Sequence, residues 1–309
     1  MKRIFTLLLS CALLLTLAAC GGSKAPAPTD SGAPAAGGTT PPATSAPETP
    51  TQSTEPQASM AETILVDNEQ VTFAVVSAQE NAHTGMQLKA RCVNKTDRTL
   101  LFSWDMVSVC GYMYDPLWAQ EVSGGKTAES TVYLDTVELE RMGVAAVEEI
   151  TFTLRVVDSE NWMDEPLVDA PFTVYPTGLD PDTAQLPEHP DTAGQVVVAD
   201  NGALRFVVER ADRENNAGYI LHVYMENKTD RNLMFSWDMV SVNGHSIDPF
   251  WAVSVAAGKK ACSRITFYKS DLDDNGIDTV SEVSFTLSVC DYDDWTADYL
   301  LNESFTYTP

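Results

Sequence analysis

Basic residues are scarce in this chain of 309 residues, where 19 Lys and Arg stand against 44 Asp and Glu, a formal net charge of −25. Such a surface repels phosphate backbones and anionic lipids, which argues against nucleic acid as a partner. Histidine is scarcer still, with four residues that do not cluster at zinc-ligand spacing. There is also no Gly-x-Ser-x-Gly motif and no glycine-rich phosphate loop. We therefore expect neither catalysis nor a firmly held cofactor.

Long apolar runs are missing too, apart from residues 4–17, which follow Lys2 and Arg3. That run is too short to cross a bilayer comfortably, so residues 1–19 are predicted to be a secretory leader. It closes on Leu-Ala-Ala-Cys-Gly at residues 17–21, which resembles a bacterial lipobox, in which the cysteine thiol receives a diacylglycerol. We expect Cys20 to be lipidated and to hold the protein on the extracellular face of the cell membrane.

Residues 20–60 consist mainly of Ala, Pro, Gly, Ser and Thr and have no apolar periodicity. A segment of this composition has nothing to bury, so it is predicted to be a disordered linker between the anchor and the folded part.

The rest of the chain is one unit written twice, with a constant offset of 133 residues. Residues 94–98 (NKTDR) recur at 227–231, and residues 102–109 (FSWDMVSV) recur at 235–242. Between the two copies, residues 177–195 are rich in Pro and acids. The pattern predicts two homologous domains, at 61–176 and 196–309, joined by a connector at 177–195.

Within each copy, apolar residues alternate with polar ones at period two, as in Leu204, Phe206 and Val208. This alternation, broken by frequent turn signals, predicts antiparallel strands and an all-β sandwich. One short helix is expected in each copy, at residues 138–143 and at 271–275. Ser270 is the expected cap of the second helix, and Gly276 its end.

The motifs NKTD, FSWDMVSV and DPxWA resemble the immunoglobulin-like, more loosely telokin-like, repeats of lipoproteins of unknown function from clostridia and related Gram-positive bacteria. The resemblance covers both copies, about three quarters of the chain. It implies two tandem immunoglobulin-like antiparallel β-sandwich domains, and it implies no active site.

Residues 271–282 match the ligand pattern of an EF-hand calcium loop. The predicted ligands are Asp271, Asp273, Asn275 and Glu282. An EF-hand needs flanking helices, however, whereas strands are expected on both sides here. The first copy also lacks the ligand set, so a capped helical turn is the alternative to a calcium site.

All six tryptophans pair across the offset. Trp104, Trp118 and their counterparts lie in or beside predicted strands, and we expect them in the core. Trp162 and Trp295 follow acidic loops, where they could stack on a sugar or grip a basic peptide, the alternative being that they anchor the loop. The acids counted as possible ligand contacts are Asp158, Asp291, Asp293 and Asp294.

None of the cysteines Cys92, Cys110, Cys262 and Cys290 recurs across the offset, so no essential disulfide is expected. Cys262 and Cys290 share a predicted outward face, and they could pair if their strands were neighbours.

Two hypotheses for function follow from these patterns. The first is a surface protein that displays two acidic modules for non-catalytic interaction or envelope scaffolding, with a basic or wall-associated protein as partner. The second is a glycan or small-ligand receptor that uses the loops of Trp162 and Trp295.

Overall fold

The structure, a computed structural model, describes residues 60–81 and 84–309, so the predicted leader, Cys20 and nearly all of the predicted linker lie outside the described residues. The described part contains 18 strands and two short helices, which confirms a mostly β chain. No helix in this part is both long enough and apolar enough to span a membrane.

The strands of the first copy are β1 (Thr63–Asp67), β2 (Val71–Asn81), β3 (Gly85–Asn94), β4 (Leu100–Val109), β5 (Tyr112–Met113), β6 (Ala119–Val122), β7 (Thr127–Leu134), β8 (Ile150–Asp158) and β9 (Val168–Val174). Those of the second are β10 (Val196–Asp200), β11 (Leu204–Asn215), β12 (Gly218–Asn227), β13 (Leu233–Val242), β14 (His245–Ser246), β15 (Ala252–Val255), β16 (Lys260–Tyr268), β17 (Val283–Asp291) and β18 (Leu301–Tyr307). The helices are α1 (Thr136–Arg141) and α2 (Lys269–Asp274).

The two copies share one strand arrangement. Strands β1-β2-β3-β7 pair in that order in the first copy, as β10-β11-β12-β16 do in the second. The other strands gather around β4 and β8, or around β13 and β17. Register is repeated as well, because Phe73 pairs with Cys92 just as Phe206 pairs with Met225. The sequence repeat is therefore a repeat of structure down to individual strand pairs.

Aromatic side chains join the two sheets within each copy. The ring of Phe73, on β2, lies 6.4 Å from those of Phe102 and Trp104, on β4. Trp104 stacks on Phe152 at 3.8 Å, and the corresponding pair in the second copy stacks at 3.7 Å. The four tryptophans predicted to be in the core are at most 9% exposed, which confirms that prediction. Each copy thus has its own aromatic core between facing strands.

The two copies are joined by a parallel strand contact, in which Lys260 of β16 pairs with Tyr112 of β5. This contact merges strands of both copies into a nine-stranded sheet. Apolar packing follows it across the boundary: Val207 and Tyr224 belong to the core cluster of the first copy, and Met113 packs against that of the second. We call this boundary the joint. The described residues, 60–81 and 84–309, accordingly lie in one compact unit.

The helices differ from prediction at their starts. Helix α1 begins at Thr136 because Asp135 caps it, accepting the backbone N–H of Val137 at 2.9 Å. Helix α2 begins at Lys269 and has no side-chain cap, so the prediction that Ser270 caps it was wrong. The predicted end is confirmed, since Gly276 adopts a φ of 67° just after the helix.

Candidate functional site

The repeated motif at residues 94–98 and 227–231 has a structural role. Asn94 is 1% exposed, and its Nδ2 donates to the backbone oxygens of Arg98 at 2.6 Å and Val122 at 2.8 Å. Its Oδ1 accepts from the backbone N–H and the hydroxyl of Thr96. Asn227 makes the same bonds in the second copy. The amide thus supplies hydrogen-bond partners to backbone N–H and C=O groups of the turn that would otherwise be buried without partners.

The predicted tryptophan loops follow β8 and β17 and present their rings to solvent. Trp162 is 63% exposed and Trp295 is 69% exposed. Rings this open contribute little to holding their loops, so loop anchoring does not explain them. Both side chains are accessible to a ligand.

Two of the acids predicted beside these rings are buried instead. Asp158 and Asp291 are 6% and 7% exposed, and each accepts a hydrogen bond from an arginine, Arg98 at 3.1 Å and Arg231 at 3.0 Å. The backbone N–H of Glu160 is the main cause that lowers the pKa of Asp158. Asp158 and Asp291 hold the loops in place, and their assignment as ligand contacts stays a prediction that their burial does not favour.

The other two acids of the second loop remain exposed. Asp294 accepts hydrogen bonds from the hydroxyl and the backbone N–H of Thr296, which lower the pKa of Asp294 and tighten the turn that carries Trp295. Asp293 accepts from Asn232 at 3.0 Å and lines a cleft described below. Of the predicted acids, Asp293 is therefore the one placed at a concave surface.

The predicted calcium ligands lie in a helical turn. Asp271 and Asp273 belong to α2, where Lys269 donates to both carboxylate oxygens of Asp273 at 2.6 and 2.8 Å. Asn275 donates to the backbone oxygen of Asp271, and Glu282 lies just before β17. Strands β16 and β17 flank this turn, so the EF-hand helices are absent from the segment. The segment forms a helical turn as the alternative predicted, although without a side-chain cap, and calcium binding there stays a prediction.

A cleft of about 760 Å³ opens where the two copies meet. Its walls carry four aspartates, a single arginine and a set of aromatic and sulfur-containing side chains. The charged residues are Asp105, Asp115, Asp169, Asp293 and Arg155, and the aromatic or sulfur-containing ones include Trp104, Met106, Met113, Tyr114 and Tyr292. A concave surface on which aromatic and methionine side chains meet a few converging charges can serve as a binding site.

The charges of the cleft act on one another. Burial raises the pKa of Asp105; Arg155 opposes this, while the carboxylates of Asp169 and Asp115 raise the pKa further. Four carboxylates against one guanidinium leave an excess of negative charge. A cationic group entering the cleft would relieve this repulsion.

At the joint, His189 of the connector lies between both copies. Its Nε2 is 2.6 Å from Oε1 of Glu209, and its Nδ1 is 3.2 Å from the hydroxyl of Tyr112. The imidazole stacks on Tyr224 with 3.9 Å between ring centres. Burial raises the pKa of the neighbouring Cys262 thiol to about 12, so this thiol is neutral at physiological pH.

Cys262 and Cys290 do not pair. Their strands, β16 and β17, belong to different sheets, and all four cysteines of the described residues are free thiols. The suggestion that these two could form a disulfide is corrected for that reason.

Sequence reasoning missed both the cleft and the joint, although a signal was present. The copies differ at the joint, where Tyr112 corresponds to His245, Tyr224 to Arg91 and Cys262 to Glu129. The cleft shows the same divergence, because Ser288 stands at the position that corresponds to Arg155. Divergence also occurs in the two cores, as at Cys92 and Met225, so it points to the joint and the cleft only together with the structure.

No protein-family model matches the chain, and no curated protein does. Among solved structures, a mutant of the oxalate decarboxylase of Bacillus subtilis aligns with 80% of this chain and 81% of its own, at 9% identity and a TM-score of 0.11. A likeness at that level carries no argument about fold or activity.

Proposed function

We propose that this is a lipid-anchored bacterial surface protein that displays two tandem immunoglobulin-like β-sandwich domains and binds a partner without catalysis. The domains span 61–176 and 196–309, and Cys20 carries the anchor. The lipobox-like sequence supports the location, while the repeated strand arrangement and the two aromatic cores support the domain assignment.

The observation that carries the proposal is the acidic cleft between the copies. Its carboxylates surround aromatic and methionine side chains in a groove of about 760 Å³. Such a groove suits an extended peptide segment with Lys or Arg side chains, whose charges meet the aspartates while the alkyl stems lie on the apolar walls. The partner class is therefore a basic protein of the cell surface or wall.

A lysine- and tyrosine-containing peptide tests this by calorimetric titration of the full chain. We expect micromolar binding that weakens as salt is raised, and a weakening of at least tenfold in Asp105→Asn combined with Asp169→Asn. The matched control is Asp238→Asn, which changes the residue corresponding to Asp105 in the second copy, outside the cleft. Equal affinity of the cleft variant and the control would overturn the proposal.

A second candidate function is a glycan or small-ligand receptor, and the exposure of Trp162 and Trp295 favours it. A glycan array separates the two candidates, because Trp162→Ala and Trp295→Ala should abolish sugar binding by a receptor and leave peptide binding in the cleft intact. Repeating the array with a chelator asks whether calcium at residues 271–282 takes part. No binding to any glycan would leave the acidic cleft as the sole candidate surface.

The anchor is tested separately by cell fractionation. Cys20→Ser should move the protein from the membrane fraction to the soluble fraction, since the acyl chains supply the membrane affinity. Retention of the variant in the membrane fraction would contradict lipidation at Cys20.

A further inference from the structure

His189, Glu209 and Cys262 bring together three different ligand types at the joint. One imidazole nitrogen, one carboxylate oxygen and one sulfur lie within 4.8 Å of one another. Among the described residues, this is the only group of three His, Cys, Asp or Glu side chains that meets this distance. The three come from the connector, β11 and β16, so folding alone assembles them.

We propose that these three side chains form a binding site for a divalent transition-metal ion of the zinc type. Nitrogen, sulfur and oxygen donors together match the preferences of zinc, whereas calcium and magnesium prefer oxygen alone. Cys262 would bind as the thiolate, so the formation of the metal–sulfur bond releases the thiol proton to solvent. Metal bonds of about 2.0–2.3 Å place the ligand atoms of a tetrahedral ion roughly 3–4 Å apart. The three ligand atoms lie within 4.8 Å of one another, so shifts of about an ångström would bring them to this spacing, with the 2.6 Å between Nε2 of His189 and Oε1 of Glu209 lengthening.

The surroundings of His189 resemble those of a metal-binding imidazole. A histidine that binds metal through one nitrogen usually donates the other N–H to an oxygen, which fixes the ring. The hydroxyl of Tyr112 lies 3.2 Å from Nδ1 and can accept that N–H. In this tautomer Nε2 carries a lone pair, and the ion would take the place of the present 2.6 Å contact between Nε2 and Oε1 of Glu209. The parallel stack on Tyr224, with an interplanar angle of 3°, sets the plane of the ring. The side chains of His189 and Glu209 are 13% and 14% exposed, so an ion can reach them from solvent.

A second histidine–carboxylate pair in the same domain shows what an ordinary pair looks like. His222 lies 2.9 Å from Asp212 through Nε2, but its Nδ1 faces Arg210 at 3.2 Å. An arginine repels a metal ion, and His222 does not belong to any three-ligand group among the described residues. This pair is an internal control for the proposal.

The proposed ion would act on the joint. It would tie the connector residue His189 to two strands of the second copy, at the point where Tyr112 of the first copy touches the imidazole. Because binding requires the assembled ligands, the ion would stabilise the docking of the connector on β11 and β16, and the first copy would be linked to the site through the contact of Tyr112 with the imidazole.

The test uses the full chain in detergent, freed of metal and titrated with zinc and with cobalt. We expect one high-affinity ion per chain, a rise in melting temperature, and thiolate-to-cobalt charge-transfer absorption in the near ultraviolet. Cys262→Ser and His189→Gln should each weaken zinc binding at least tenfold and abolish the charge-transfer band. The matched controls Cys290→Ser and His222→Gln should retain affinity and spectrum.

Cobalt binding to the unmodified chain without a thiolate band would overturn the proposal, and so would zinc affinity unchanged in Cys262→Ser. The spectrum of the unmodified chain keeps the test decisive even if a variant fails to fold. Glu209→Gln adds a near-isosteric check, since it should weaken zinc binding while circular dichroism stays unchanged.

Discussion

Replacing Asn227 by alanine should destabilise the second domain more than most single substitutions do. Asn227 is 1% exposed, and its Nδ2 donates to the backbone oxygens of Arg231 at 2.6 Å and Val255 at 2.9 Å. Its Oδ1 accepts from the backbone N–H of Thr229 at 2.9 Å and from the hydroxyl of Thr229 at 2.7 Å. Alanine removes these four bonds and a longer one from Nδ2 to the backbone oxygen of Ala256 at 3.1 Å, so the backbone groups lose their partner.

The magnitude follows from these bonds. At about 1 kcal/mol net for each hydrogen bond, the loss is about 4 kcal/mol in the free energy of unfolding. A loss of that size places the variant among the most damaging point mutations and threatens a domain of ordinary stability. The amide is therefore predicted to be indispensable to the fold.

Equilibrium urea unfolding followed by tryptophan fluorescence measures this loss, because Trp237 and Trp251 report on the core of the second copy. Thr229→Val is the graded control, since it removes the hydroxyl bond and keeps the backbone N–H bond, and it should cost about 1 kcal/mol. If Asn227→Ala lost less than about 1 kcal/mol, the turn would not depend on the amide and the structural reading of the motif would be refuted.

Three further predictions concern backbone, acid and thiol chemistry. Gly218→Ala should cost at least ~2 kcal/mol in the free energy of unfolding, because a Cβ there would lie 2.0 Å from the backbone oxygen of Phe267. The control Gly258→Ala places its Cβ in open space and should cost only ~1 kcal/mol. Equal losses of the two variants in urea unfolding would contradict this prediction. Because the pKa of Asp158 is lowered in the folded protein, its carboxylate contributes stability at pH values above 3.8, the ordinary pKa. This stability is lost as the pH falls through the pKa of the folded state. Asp158→Asn should therefore lower the melting temperature at neutral pH and match the parent in strong acid, and a pH-independent difference would argue against the linkage. Maleimide labelling of the native chain, read by peptide mass spectrometry, should modify the half-buried Cys290 well before Cys92. The thiol of Cys92 is fully buried, and burial raises its pKa to about 12. The reverse order of labelling would count against the described burial.

The strands and the aromatic core could be predicted because their signals are local and written twice. Alternation at period two marks the buried face of β11 at Leu204 and Phe206, and the offset repeats it at Val71 and Phe73. Burial of the paired tryptophans in and beside the strands follows from the same pattern. The sequence signal for the start of a helix is weaker, since Ser270 has the chemistry of a cap but lies one residue inside α2.

The candidate site could be predicted only in part, because its partners are distant in sequence. The acids before Trp162 resemble a ligand surface until Arg98 is seen 60 residues away, paired with Asp158. The cleft and the joint depend on how one copy meets the other, and no periodic pattern encodes that. What the sequence does hold is the divergence between copies, as at Tyr224 and Arg91.

The parallel contact between β16 and β5 also limits how many units such a chain can accumulate. Strand β7, the counterpart of β16, offers Glu129 where β16 has Cys262, and β14 offers His245 where β5 has Tyr112. A third unit gained by another duplication would thus meet Glu129 or His245 at an outer strand, where the joint has Cys262 and Tyr112. A further unit joined through the same kind of contact would therefore require new substitutions at the outer strand that it meets.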